Sequence, residues 1–249
     1  MRSKPRTKKI DWSKKRWKKM LVDQRKFLWY PESIAMFAKW AGLKPGMTVA
    51  DAGCGLGYMG YTYWPHFGKG GLYIGVDLSH KLLVRARKDS QIWARPGMAR
   101  FARGDARRLP FPENSMDAVM CQTLLMHLID PQAAVAEMAR ILKPGGIMLC
   151  HEPDNLSSSM TRGYSEKSEL SIAEEAFLHK INLHLHKGRL QCGRGDSSIG
   201  NKVPVLMKKA GLKDIGIRMN DKAYFLLPPY DDDVQRHLIS EARKYQKDA

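Results

Sequence analysis

The sequence lacks the features of secreted and membrane-spanning proteins. No run of apolar residues is long enough to cross a bilayer as a helix. Lysine and arginine are spread through residues 1–20, where a secretory signal peptide needs an apolar segment. The mean hydropathy of -0.43 agrees with this. We therefore expect a cytoplasmic protein without a transmembrane segment.

Cysteine is also scarce. None of the four cysteines forms the C-x-x-C pair that is typical of a structural zinc site, and single scattered thiols fit a reducing compartment. The polar residues His151, Glu152 and Asp154 follow an expected strand, but their spacing matches no known metal-binding motif. We predict that the protein holds no metal.

Acidic residues are few beside basic ones, and the formal net charge is +17. Much of the excess lies in residues 1–30, where lysines and arginines alternate with aromatic residues and only Asp11 and Asp23 are acidic. Such a segment is typical of a surface that binds nucleic acid or another polyanion. It is equally typical of a solvated basic helix that packs its aromatic side chains on the domain. Both interpretations stay open.

Between residues 31 and 155, short apolar segments alternate with helical patterns. This rhythm is typical of βαβ units, and therefore of a parallel sheet with helices on both faces. The expected strands cover residues 47–51, 72–76, 99–102, 116–121 and 147–150.

The rhythm breaks after the fifth strand. Residues 156–198 are mostly polar and contain one expected helix, at 166–187. An insertion at this point of an open sheet lies over the strand ends where ligands bind, so we interpret it as a helical lid. Residues 199–249 complete the sheet with strands at 212–219 and 222–227 and end in a helix. We predict one α/β domain with N-terminal helices and a doubly wound, mostly parallel, seven-stranded sheet, whose core covers residues 31–155.

A glycine-rich turn follows the first expected strand. Gly53, Gly55 and Gly57 lie between that strand and a helix, where glycine allows positive φ and close approach of a ligand to the backbone. Asp77 ends the second strand, about 20 residues further on, which also fits a nicotinamide dinucleotide fold. The turn alone does not identify the cofactor.

The complete set of motifs identifies the cofactor better than the glycine-rich turn does. Asp51 precedes the glycines, Gly104-Asp105-Ala106 follows the third strand, and a Lys-Pro-Gly-Gly sequence at 143–146 precedes the fifth. With these motifs, residues 47–153 resemble the class I S-adenosylmethionine-dependent methyltransferases, and in particular the group similar to the ubiquinone and menaquinone C-methyltransferases. The resemblance implies a Rossmann-like methyltransferase fold and S-adenosyl-L-methionine as cofactor. It says nothing about the methyl acceptor.

The resemblance also implies roles for single residues. Asp51 and the backbone of the three glycines would hold the methionine part of the cofactor, and Gln122 would touch the same end. Asp77 would accept the ribose hydroxyls, and Leu78 would pack on the adenine. The segment 104–106 would bind the purine edge, with Asp105 accepting from the amino group and the Ala106 amide donating to a ring nitrogen.

His127, just beyond the fourth strand, is the expected general base. A base is needed only where the nucleophile loses a proton in the reaction, and a position after this strand can equally serve to stabilise the loop.

The leading hypothesis is methyl transfer to a small-molecule acceptor. Methylation of RNA or another polyanion through residues 1–30 is the alternative, and a nicotinamide-dependent oxidoreductase or a non-catalytic binding protein are further ones. A homodimer is possible.

Overall fold

A five-stranded parallel sheet organises the protein. The structure, a computed structural model, describes residues 29–160 and 170–219, with isolated positions between 229 and 240. The sheet has the strand order β3-β2-β1-β4-β5, so the order reverses between β1 and β4. The strands are β1 (Thr48–Ala52), β2 (Leu72–Asp77), β3 (Ala99–Arg103), β4 (Met116–Gln122) and β5 (Leu142–His151).

Helices cover both faces of this sheet. They are α1 (Pro31–Ala41), α2 (Tyr58–Phe67), α3 (His80–Ser90), α4 (Pro131–Ile141), α5 (Asn155–Met160), α6 (Ile172–Gln191) and α7 (Val203–Lys209), with short 3-10 turns at Leu125–His127 and Ile199–Lys202. One buried cluster joins the strands to α1, α2 and α3, and includes Phe37, Tyr63 and Leu83. A second joins them to α4 and α7 through Val135 and Val203. The predicted doubly wound α/β class is confirmed for the described residues.

Local sequence signals set several helix ends. Pro31 begins α1, where a missing amide hydrogen costs nothing, and Gly42 ends it in the left-handed conformation. Asp130 caps α4 by accepting a hydrogen bond from the Ala133 amide at 3.0 Å.

The fifth strand is longer than its sequence pattern predicts. Met116 pairs with Leu142 and Ala118 pairs with Ile147, so residues 143–146 form an irregularity inside the strand instead of a turn before it. The glycines at 145 and 146 allow this bulge. The strand therefore begins directly after α4.

The C-terminal strands are not confirmed. Residues 212–219, the expected sixth strand, are irregular in the structure. The segment lies beside α1, where the guanidinium of Arg218 is 4.4 Å from the centre of the Trp40 ring. The next expected strand, 222–227, falls outside the described residues, as does most of the expected terminal helix. Seven strands therefore stay a prediction, as do the domain boundaries.

The inserted segment contains α5 and α6. A capping box fixes the start of α6, because Ser171 accepts from the Glu174 amide while the Glu174 carboxylate accepts from the Ser171 amide. The sequence predicts a helix at 166–187; residues 166–169 lie outside the described residues, and the described helix runs from Ile172 to Gln191. In the part of the chain that is described, no helix combines the length and the apolar character needed to cross a membrane.

Candidate active site

The glycine-rich loop after β1 is tied to the end of β2. The amides of Gly53 and Cys54 donate to the Val76 carbonyl at 2.8 and 3.0 Å. The Gly55 amide donates to Oδ2 of Asp77 at 2.9 Å, and the Ser79 amide donates to Oδ1 at 2.7 Å. Burial raises the pKa of Asp77, although both amide hydrogen bonds favour its charged form. The loop and this carboxyl group thus form one unit.

The loop is closed on one side and open on the other. A Cβ at Gly53, whose φ is +70°, would lie 2.6 Å from Cδ1 of Leu124, so only glycine fits there. A Cβ at Gly55 would meet no atom within 4 Å. The open side is the side on which a ligand can approach the backbone. Leu78 is 58% exposed beside it and presents apolar surface next to the Asp77 carboxyl.

The segment after β3 lies next to Asp77. The Gly104 amide donates to the Asp77 carbonyl at 3.1 Å, which brings Asp105 and Ala106 to the same edge of the sheet. The Asp105 carboxylate accepts hydrogen bonds from Nε and Nη2 of Arg107, the latter at 2.6 Å. A purine amino group at Asp105 would therefore share this carboxylate with Arg107. The sequence motif does not predict this neighbour.

Asp51 and Gln122 lie closer to the centre of the sheet. Asp51 is 1% exposed, and its Oδ2 accepts a hydrogen bond from the Tyr73 hydroxyl at 2.7 Å. Gln122 ends β4, is 9% exposed and pairs with His151 in the register of β4 and β5. Parallel strands end at the same edge of a sheet, so the structure brings all the predicted cofactor-binding residues to that edge.

His127 ends the 3-10 turn that follows β4. The turn adjoins the glycine-rich loop, because Leu124 fills the space beside Gly53. Burial, reinforced by the positive charge of Arg189, lowers the pKa of His127 to about 4. The imidazole is therefore neutral at pH 7, and it can accept a proton but is a weak base.

Glu152 fixes this turn. Its Oε1 accepts from the amides of Leu124 and Leu125 at 2.8 and 2.9 Å, and its Oε2 accepts from the Met126 amide at 3.2 Å. Burial raises the pKa of Glu152 to about 7, while the three amides oppose the rise. In the sequence, Glu152 stands out only as one of three polar residues after the fifth strand, whose spacing matches no metal-binding motif. A polar residue directly after a buried strand is the one signal that pointed to it.

His151 belongs to a buried aromatic cluster rather than to an open cleft. Its Nε2 is 2.9 Å from the Tyr63 hydroxyl, and its ring lies 4.7 Å from that of Trp29 and 5.8 Å from that of Phe37. Burial lowers the pKa of His151 to about 4. Within residues 29–160 and 170–219, no three His, Cys, Asp or Glu side chains are placed to hold a metal ion.

Three comparisons place these features among known proteins. Residues 50–150 match the family model described as a methyltransferase domain. An uncharacterized methyltransferase of Schizosaccharomyces pombe is 35% identical over 141 residues, which cover 55% of this chain and 49% of the relative. The 2-phytyl-1,4-naphtoquinone methyltransferase of Synechocystis is 31% identical over 57% of this chain and 61% of the relative.

Among solved structures, the fold is similar to that of a SAM dependent methyltransferase from Aquifex aeolicus. The TM-score is 0.54 at 21% identity, over 82% of this chain and 90% of the other. The matches span about half the length of the first of these curated relatives and about three fifths of the second. These matches confirm the resemblance that the motifs indicated.

Proposed function

We propose that this chain transfers a methyl group from S-adenosyl-L-methionine to a small-molecule acceptor. Its residues 50–150 are a methyltransferase domain of the class I type, similar to the quinone C-methyltransferases. One observation carries the proposal: the Asp77 carboxyl is held by the Gly55 and Ser79 amides at the edge where the five parallel strands end. A carboxylate fixed in this way beside an open glycine loop suits the vicinal hydroxyls of a ribose.

The residues present fit the cofactor. The open side of Gly55 admits the methionine part, the exposed Leu78 offers an apolar surface for a purine ring, and the Asp77 carboxyl retains acceptor capacity between them. Asp51, Gly53, Gly57 and Gln122 would surround the amino-acid end, and the segment 104–106 would bind the purine edge. The bound cofactor supplies a methyl group that is already activated on a sulfonium, so the protein mainly needs to align the acceptor.

His127 is the residue that we propose to accept a proton from the acceptor. It is neutral at pH 7, and the three hydrogen bonds of Glu152 hold its turn in place. Its low pKa suits an acceptor that becomes strongly acidic as the methyl group is transferred. For an acceptor that loses no proton, His127 would serve only to orient it.

Replacing Asp77 tests the cofactor site. We expect Asp77→Ala to weaken binding of S-adenosyl-L-methionine by about 1–3 kcal/mol, because ribose hydroxyls would lose a charged acceptor. Titration calorimetry with this cofactor and with NAD measures both affinities. Asp89→Ala is the matched control, since Asp89 pairs with Arg85 on the exposed side of α3 and should leave the affinity unchanged. Tight binding of NAD in place of S-adenosyl-L-methionine would refute the proposal.

The acceptor class needs a separate experiment. Transfer of a labelled methyl group should be screened against quinols, small metabolites and RNA, with the full chain and with a variant that lacks residues 1–22. We expect label in a small molecule with both proteins. Label in RNA that depends on the first 22 residues would support the polyanion alternative, which the net charge of +17 keeps open. Homodimer formation also stays a prediction.

A further inference from the structure

The outer strand of the sheet, β3, carries exposed arginines beside its free edge. The strand pairs with β2 alone, so its other edge has no strand beside it in the described part of the chain. Arg100 and Arg103 of this strand are exposed, and so is Arg87 of α3, the helix that packs against β3. We call these three residues the arginine edge.

Each guanidinium of the arginine edge is held by a backbone carbonyl. The hydrogen bonds run from Nη2 of Arg87 to Phe101 at 3.3 Å, from Nε of Arg100 to Gly97 at 3.3 Å and from Nε of Arg103 to Leu78 at 3.2 Å. A carbonyl fixes the side chain but leaves its charge uncompensated. In Arg100 and Arg103 the bond uses Nε, so the two terminal nitrogens of each guanidinium remain as donors for a ligand.

The acids near the arginine edge are engaged with other cations. Asp89 of α3 pairs with Arg85 at 2.7 Å, and Asp105, which follows β3, pairs with Arg107 at 2.6 Å. Within residues 29–160 and 170–219, no carboxylate forms an ion pair with a member of the arginine edge. Three uncompensated charges around one strand attract anions, and the net charge of +17 strengthens the attraction.

The surroundings of the arginine edge favour a linear polyanion over a membrane. Phe101 is buried, and the other apolar residues within 99–108 are alanines. A membrane-binding surface needs large apolar side chains beside its cations, because these enter the lipid. Arg100 and Arg103 lie about 10 Å apart along the strand, so the positive charges follow a line. The phosphates of a nucleic acid also follow a line, and a guanidinium binds a phosphate through paired N–H donors.

From these contacts we infer that the arginine edge binds the phosphodiester backbone of a nucleic acid. This surface is separate from residues 1–30, because it is built from β3 and α3. The inference goes beyond the proposed function and does not depend on it. Since β2 and β1 lie between β3 and β4, the arginine edge is about 14 Å from the strand that precedes His127. A nucleic acid bound there leaves the place of the methyl acceptor to another molecule.

The test measures binding of a labelled single-stranded RNA and of an RNA duplex to the full chain by fluorescence anisotropy at several salt concentrations. We expect at least one of them to bind saturably. The triple variant with Arg87→Gln, Arg100→Gln and Arg103→Gln keeps a donor for each carbonyl but removes the charge. It should bind about tenfold or more weakly, and the salt dependence of log K for the single strand should become shallower by about 2, because three phosphates no longer release counterions. Arg100→Gln alone should change this slope by about 0.7 and guards against misfolding of the triple variant.

The matched control removes the same charge from exposed positions on α1, before β1 and on α7, with Lys39→Gln, Lys44→Gln and Lys209→Gln. It should change the RNA affinity much less. Equal weakening in the two triple variants would show a general effect of charge and overturn the inference, and so would an unchanged affinity in the arginine-edge variant or no saturable binding of either RNA by the wild type.

Vesicles of phosphatidylcholine and phosphatidylserine are the second ligand in this test. We expect the arginine-edge substitutions to change vesicle binding less than RNA binding. Loss of vesicle binding with an unchanged RNA affinity would assign the surface to a membrane and overturn the inference. Sedimentation velocity checks that the variants have not associated through β3, because exposed cations also keep a free strand edge from pairing.

Discussion

Gly195→Ala is expected to destabilise the protein by about 3 kcal/mol. The residue has a φ of +77°, and a Cβ there would lie 2.9 Å from the carbonyl carbons of Met126 and His127 and would overlap the Met126 oxygen. The left-handed conformation costs an alanine about 1–2 kcal/mol, and shifting packed backbone costs a further ~1–3 kcal/mol. Urea unfolding followed by circular dichroism measures the change.

Gly193→Ala separates the two contributions. Gly193 also has a positive φ, +65°, but a Cβ there would make only ordinary van der Waals contact, with Cδ1 and Cγ1 of Ile129 at 3.7 and 4.0 Å. This variant should lose only the conformational part, about 1–2 kcal/mol. Equal losses of stability in the two variants would show that a Cβ at residue 195 causes no steric clash with the turn that ends at His127.

The Gly195 contact also matters for the proposed activity. The segment after α6 and the turn of His127 touch at this point, so a shift of one moves the other. We expect Gly195→Ala to lower methyl transfer at temperatures where the variant is still folded, and Gly193→Ala to lower it less. Cofactor binding should change less than methyl transfer in both, because Asp77 ends β2 whereas the turn of His127 follows β4, and β1 lies between these two strands.

The sequence predicted those parts of the fold that depend on local patterns. An apolar segment followed by glycines or by an acid predicts a strand end. Because parallel strands end together, the sequence predicts that Asp51, Asp77 and Asp105 lie at one edge. The five strands are confirmed. The assignment of the cofactor depended on the order of several motifs, because the glycines alone fit two classes of protein.

The contacts that shape the acceptor side of the site depend on distant residues. Glu152 binds amides that lie 26 to 28 positions earlier, and Tyr63 meets His151 across 88 positions. No local pattern encodes such pairs. The sixth strand at 212–219 is predicted from the strand-helix rhythm that resumes after the insertion. This rhythm does not say which element the segment meets, and here Gly216 and Arg218 lie against Trp40.

His151 should make the protein sensitive to acid. Burial lowers the pKa of His151 from 6.5 to about 4, so between these values the unfolded chain binds a proton that the folded chain does not. The stability that the folded protein gains from the neutral imidazole of His151 is complete above pH 6.5 and is lost as the pH falls to 4. A difference of 2.5 pKa units corresponds to about 3 kcal/mol. Urea unfolding at several values of pH between 4 and 7 measures it.

Among the described residues, at least two other groups contribute to the change of stability in this range, so a variant must isolate His151. The pKa of His127 is lowered in the same direction, while that of Glu152 is raised from 4.5 to about 7, which adds stability at low pH that is lost as the pH rises. The double variant with His151→Phe and Tyr63→Phe removes both partners of the hydrogen bond and keeps the aromatic packing.

Between pH 6.5 and 4, the free energy of unfolding of the double variant should fall by about 3 kcal/mol less than that of the wild type. His127→Gln retains the His151 contribution and is the control for the other histidine. A double variant as sensitive to acid as the wild type would mean that the imidazole of His151 takes up its proton in the folded protein as readily as in the unfolded chain. The Tyr63 hydroxyl would then accept from His151, and the cluster with Trp29 would hold a cation.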